Sequence, residues 1–210
     1  MSPAPKPPRI LKTYKRQSRG RRWFFVIDYY LGLEDFDVVN LNLLSAGKKV
    51  LQPPFGQNGF PIYPENPKIV FGMKGRKKFR DLIPFSAYWI ISERLKSLFE
   101  SIDAGAFAFH ACDVKLSDGS DGPPYWFVDV VRVIDAVDEV ASAKIVMAGK
   151  TGYKTYAICP TTPVYFKLHL IESAHVFRAP HSRGTIFSDH YIRDACQTQK
   201  MVGIAFKLCP

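Results

Sequence analysis

A strand, a capped helix and a second strand occur in this chain twice, and any fold must house both copies. In the first, the apolar run Tyr88-Trp89-Ile90-Ile91 stops at Ser92, and Leu95, Leu98, Phe99 and Ile102 then recur at the spacing of one helix face. Ser92 suits the N-cap because its hydroxyl can accept an orphan amide of the first turn. Glu93 sits at the positive end of the helix dipole, and Gly105 offers the backbone freedom that ends a helix. A strand follows in which Phe107, Phe109 and Ala111 alternate with Ala108 and His110. The second copy runs from Thr185-Ile186-Phe187 into Ser188, where the matching cap is predicted, with Asp189 in the place of Glu93. Ile192, Ala195 and Cys196 form a narrower stripe, and Gly203 precedes Ile204, Phe206 and Leu208.

The stretches between the copies read as strands and turns. Trp23 to Ile27 is a short apolar run that opens the fold. Gln52 to Pro67 carries five prolines and two glycines, which excludes regular helix and predicts an irregular covering loop. Two Asp-Gly pairs between Ser117 and Pro124 mark a turn into Tyr125 to Ile134, the longest apolar run, expected to pair antiparallel with the Phe107 strand. Both faces of that run are apolar, so Asp129 and Arg132 need partners if buried. Val164, Phe166, Leu168 and Leu170 alternate with polar positions and predict a half-exposed strand, followed by a short one through Val176 and Phe177. The order is that of an α+β protein with mostly antiparallel sheets and the strand-helix-strand unit used twice, around Ser92 and Ser188. Three regions are expected: a basic, Pro-rich flexible tail over 1–21, N-terminal strands and irregular loops over 22–80, and an α+β domain over 81–210.

Charge is concentrated rather than spread. The chain has a net charge of +10, yet eight of its 29 Lys and Arg residues precede the first carboxylate, Asp28, leaving a nearly neutral body. Such a tail can meet nucleic acid, with Lys15, Arg16, Arg19, Arg21 and Arg22 joined by a second cluster at Lys74, Arg76, Lys77 and Lys78. A solvated arm and loop is the competing reading. No window approaches the ~18 uninterrupted apolar residues of a membrane span, and no apolar segment follows the N-terminal charges as in a secretory signal. A cytoplasmic address and no membrane partner are therefore expected.

Signals for chemistry are weak. Gly149-Lys150-Thr151 resembles the end of a phosphate loop, but Lys144 stands where that loop needs its first glycine. His169, His175, His181 and His190 crowd one third of the chain without ligand spacing, and the four cysteines form no paired motif. His110 and Cys112 share a strand face, which leaves open a Cys/His hydrolase. The expectation is otherwise no catalytic residue, no metal and no cofactor.

Four stretches, taken in order, carry a family likeness. They are Trp89-Ile90-Ile91-Ser92-Glu93-Arg94-Leu95, then Val130-Val131-Arg132-Val133-Ile134-Asp135-Ala136-Val137-Asp138, then His175-Val176-Phe177-Arg178, and finally Ile186-Phe187-Ser188-Asp189 with Gly203-Ile204-Ala205-Phe206. Together, from Asp81 to Leu208, they resemble the bacterial Imm-eleven immunity proteins, long catalogued as a domain of unknown function. The resemblance implies an antitoxin that binds a cognate toxin domain encoded nearby and delivered by contact-dependent or type VI routes. It brings no catalytic residues. Nuclease toxins are often basic, so either the partner is of another kind or the acidic group Asp135, Asp138 and Glu139 does the docking. Trp89 and Trp126 are candidate aromatic anchors, with core positions as their alternative.

Overall fold

The computed structural model describes residues 22–29, 35–48, 50–54, 56–72, 79–148, 154–158 and 163–209. The expected flexible tail, the Lys74 to Lys78 cluster, the phosphate-loop-like 149–151 and Cys159 lie outside them. In chain order the first elements are β1 (Phe24–Tyr29), β2 (Phe36–Val38), α1 (Leu41–Leu44), β3 (Lys68–Phe71), β4 (Leu82–Phe85), β5 (Tyr88–Ser92), α2 (Glu93–Asp103), β6 (Phe107–Ala111), β7 (Asp113–Leu116) and β8 (Tyr125–Val130). They are followed by β9 (Val146–Ala148), β10 (Lys154–Tyr156), α3 (Leu168–Ile171), β11 (Val176–Ala179), β12 (Ser182–Asp189), α4 (His190–Thr198) and β13 (Ile204–Leu208). This is the α+β architecture expected, with every pairing antiparallel except β3 with β7.

Two four-stranded sheets share one plan. Their orders are β4-β5-β8-β6 and β11-β12-β1-β13. In each, a hairpin leads into a helix, and the strand after the helix returns one place away from the strand before it. β8 fills the gap between β5 and β6, and β1 fills the gap between β12 and β13. The gap has to be filled, because strands on either side would otherwise carry unpaired backbone groups into the interior. In the first sheet the filling strand comes late in the chain, and in the second it comes first. The 22–80 stretch therefore contributes an inner strand to a sheet otherwise built from residues beyond Val176.

The register of the duplication differs by one residue from the serine-to-serine alignment. Ser92 caps α2 by accepting from the Leu95 amide at 3.4 Å, but α4 is capped by Asp189, which accepts from Tyr191 N at 3.1 Å. Ser188 is fully buried inside β12, opposite Val176 on one side and Phe25 on the other. Pairing with β1 holds the chain extended through Asp189, so the helix starts one position later. The carboxylate is as good a cap as a hydroxyl. Caps (92 and 189), helix starts (93 and 190) and following strands (107 and 204) are then each 97 positions apart.

The helices lie together between the sheets. Leu95, Leu98 and Phe99 of α2 join Ile192, Ala195 and Cys196 of α4 in one core with Trp89, Ile91 and Val130 of the first sheet and Ile27, Val176 and Ile204 of the second. The other face of the first sheet is covered by Leu51, Ile69 and Phe71, and that of the second by Val137, Ile145, Tyr156 and Val164. Burial on both faces explains why β5 and β8 read as continuous apolar runs rather than alternations.

Two aspartates, Asp81 buried and Asp103 half-buried, tie the units crosswise. Asp81, just before β4, accepts from Val202 N at 2.7 Å beyond α4, and Asp103, ending α2, accepts from His175 N and Val176 N at 2.7 and 3.1 Å. Arg94 and Arg132 complete these sites as the ion-pair partners of Asp81 and Asp103. Arg132 is only half-buried and pairs with Asp103, while the buried Asp129 has Arg178 of β11 at 2.8 Å.

The strand expected over Val164 to Leu170 is absent. Phe166 makes a single bridge to Val137, and residues from Leu168 form the short helix α3. Inward and outward positions alternate only from Val164 to Lys167, where the segment lies over the second sheet with Val164 and Phe166 inward; Leu168 and Leu170, expected on that face, are exposed on α3, whose buried residue is Ile171. No neighbouring strand is needed for that pattern.

Candidate functional site

The acidic group flanks one rigid turn. Asp138 donates its amide to Tyr165 O at 2.9 Å, and its carboxylate accepts from Val140 N and Ala141 N, both at 3.1 Å. Tyr165 N in turn donates to Ser142 Oγ at 2.8 Å, and Lys167 N to Ala136 O at 2.7 Å. The 136–142 segment is thereby fastened along 165–167. Glu139 accepts from Tyr156 Oη at 2.6 Å and pairs with Lys154, which holds its carboxyl below the usual range, while burial and the Glu139 charge push the Tyr156 hydroxyl upward. Asp135 is exposed on the approach to the turn. Val140 stands 91% exposed in the turn, and Tyr165, whose backbone is bonded to Asp138 and Ser142, is 46% exposed. The result is an exposed valine in a turn that carries carboxylates, fastened beside an exposed tyrosine on a backbone with little freedom left.

The tryptophans do not join this surface. Trp89 is 8% exposed in the core between the sheets and offers no rim to a partner. Trp126 is half-buried on the first sheet. Its indole N–H donates to Glu93 Oε2 at 2.5 Å, and the Lys96 ammonium stands 4.6 Å from its ring. The acidic turn, by contrast, covers the second sheet.

Of the basic candidates, only Arg22 lies among the described residues, and its side chain faces inward. Its Nε donates to Asp189 Oδ2 at 3.0 Å and its Nη1 to Glu172 O at 2.7 Å, while Nη2 reaches Ala174 O. These bonds clamp the chain where it enters β1. A phosphate would have to displace a carboxylate that is itself fully buried.

The nucleophile and ligand candidates are held in other roles. Burial pushes the thiols of Cys112, Cys196 and Cys209 up to about 12 each, which keeps them protonated and weakly nucleophilic. His110 lies against the rings of Phe60 and Tyr63 with its Nδ1 3.0 Å from Ala111 O, and the Cys112 thiol donates instead to the His110 backbone carbonyl at 3.8 Å. His175 Nδ1 lies 2.8 Å from Asp189 Oδ2, and His181 packs on Tyr156. Among the described residues no three His, Cys, Asp or Glu side chains converge as a metal site. Nor is any helix there long and apolar enough to cross a membrane.

Sequence reasoning missed Asp189, which serves at once as cap, as anchor for Arg22 and as partner of His175. Its only signal was its position next to a serine that looked like the better cap.

Fold and surface together define a duplicated α+β module that presents a braced apolar and acidic turn on one outer face. Residues 32–209, which take in every element after β1, match the immunity protein family Imm11, and the chain belongs to that family. Its role is that of an immunity protein. No curated protein matches the chain.

Proposed function

We propose that the protein neutralises a cognate secreted toxin, encoded by a neighbouring gene, by binding it one-to-one in the cytoplasm and covering its active site, without performing a reaction of its own. The polymorphic toxins delivered by type VI secretion or by contact-dependent inhibition are the class it answers. The observation that carries this reading is the turn in which the exposed Val140 follows Asp135, Asp138 and Glu139, fastened to the exposed Tyr165 through Asp138 and Ser142. Tyrosine is among the residues enriched at interface hot spots, and the hydrogen-bonded turn leaves little conformational entropy to lose on docking. The carboxylates suit a basic toxin surface and speed encounter with it. An interface on the order of 1,600 Å² in total would extend well beyond the turn. Co-expression with the adjacent toxin domain tests it. Rescue of growth and co-purification are expected, and Val140→Asp with Tyr165→Ala weakens both. Failure of the parent protein to rescue or to co-purify would remove the proposal.

A further inference from the structure

Of the outer strands of the two four-stranded sheets, β4 and β11 are closed to further pairing. On β4 the outward-facing positions are Leu82, whose amide already donates to Val202 O at 3.2 Å, and Pro84, which has no N–H. On β11, Val176 N donates to the Asp103 carboxylate at 3.1 Å, Arg178 N donates to Arg132 O and Arg178 O accepts from Ile134 N, both at 2.9 Å.

The strands that follow the two long helices, β6 and β13, differ. On β6 the outward carbonyl of Ala111 is met by His110 Nδ1 at 3.0 Å. On β13, Cys209 N donates to Phe24 O at 2.9 Å, which fixes 205, 207 and 209 as the positions turned toward β1. Ile204, Phe206 and Leu208 therefore turn their N–H and C=O groups outward, and among the described residues nothing bonds to them. Monomeric proteins guard such an edge with a proline, a bulge or a free charge. β13 has no proline, runs in unbroken register with β1, and has its one charge, Lys207, engaged by Asp28.

The side chains along this edge are apolar. Alternation puts Ile204, Phe206 and Leu208 on the face toward α4, where Leu208 is 44% exposed. Beside them a dent of about 240 Å³ opens between α4 and β13, lined by Cys196, Gln197, Met201, Ile204 and Phe206.

We propose that the occupant of this edge is a second copy of the chain, its β13 antiparallel to the first about a two-fold axis at Phe206. In that register Phe206 faces its own copy, Ile204 faces Leu208, and each outward N–H meets a C=O. The exposed Leu208 of each copy lands against Ile204 at the rim of the other copy's dent. Lys207 falls opposite Ala205, so no like charges meet and the Lys207–Asp28 pair is kept. The acidic turn covers the other face of this sheet, so self-pairing and toxin binding use different side chains.

Sedimentation equilibrium of the full chain without toxin tests it. A mass that rises with concentration to twice that of the chain is expected. Leu208→Pro removes an N–H that makes no bond within the chain, and Leu208→Lys sets a charge against Ile204 of the second copy. Each should raise the dimer dissociation constant about tenfold or more with the unfolding transition retained. Leu168→Lys, the same change at an exposed leucine of α3, should leave the constant unaltered. The mass of a single chain at every concentration up to about 100 μM, or a dimer that persists undiminished in both Leu208 variants, would overturn the proposal. A single-chain mass joined to loss of the toxin complex in Leu208→Lys would overturn it as well and give the edge to a strand of the toxin.

Discussion

Arg178 of β11 and Asp129 of β8 face each other from different sheets, Nη2 to Oδ1 at 2.8 Å, both buried. Removing one partner strands the other charge in the interior. Arg178→Met alone is expected to cost about 3–5 kcal/mol, whereas pairing it with Asp129→Leu should recover most of that loss. Urea unfolding of the two variants measures the difference. Equal destabilisation would mean that the packing around the pair, not its charge balance, is what matters.

Asp81 makes the protein acid-sensitive. Burial pushes its carboxyl upward, but Arg94, the Val202 amide and the Ser92 hydroxyl outweigh burial and hold it below its ordinary value. As pH falls, the unfolded chain takes up this proton first, so the stabilisation is complete above about pH 4 and is lost as pH falls through the folded-state value. Asp129 has the opposite sign, because burial outweighs Arg178 and raises it, and its contribution declines as pH rises through the folded value. Asp81→Asn should cost about 1–3 kcal/mol at neutral pH and progressively less below pH 4. Unfolding free energies measured down to pH 3 check this, and a gap from the parent that stays constant would refute it.

The two cap positions separate cleanly by substitution. Ser92→Ala is expected to cost about 1 kcal/mol, and Asp189→Ala more, about 2 kcal/mol or above, because Arg22 and His175 lose their partner as well. The Ser188 hydroxyl is buried with no hydrogen-bond partner, so Ser188→Ala should be neutral within about 0.5 kcal/mol or slightly stabilising. Thermal unfolding of the three alanine variants decides between a cap at Ser188 and one at Asp189.

Gly203 is fixed by both conformation and space. Its φ is +93°, and a Cβ there would run into the carbonyl oxygen of Leu82, part of the crosswise tie between the end of α4 and the start of β4. Gly203→Ala should therefore destabilise by about 3 kcal/mol or more, read as a drop in midpoint denaturant concentration.

Local signals in the sequence carried local structure well. The Ser92 cap, the face of α2 and the turn after Ser117 follow from neighbours a few positions apart, which is the range over which caps, helix faces and turns are decided. The start of α4 was not legible, because Ser188 and Asp189 are both good caps and the choice falls to pairing with β1, far away in the chain. The same distance hid the slot β1 fills. The Val164 to Leu170 alternation misled because it holds only to Lys167, where an unpaired extended segment lies over the core, and the chain then turns into α3 with Leu168 and Leu170 exposed. Asp135, Asp138 and Glu139 were visible as a cluster, but the exposure of Val140 beside Tyr165 depends on bonds between segments that sequence spacing does not reveal. Trp89 and Trp126 sit in neighbouring strands on the same sheet face, the one packed by α2, and what sets them apart is depth: Trp89 is buried in the core between the sheets, whereas Trp126 stays half-buried beside Glu93 and Lys96.

The most direct test of the account is a titration of the purified toxin domain's activity against increasing amounts of this protein. Stoichiometric covering predicts a linear fall that reaches zero at one equivalent, with Val140→Asp shifting the end point to higher ratios. Extinction of activity at a small fraction of an equivalent, with the toxin left modified after the protein is removed, would contradict it.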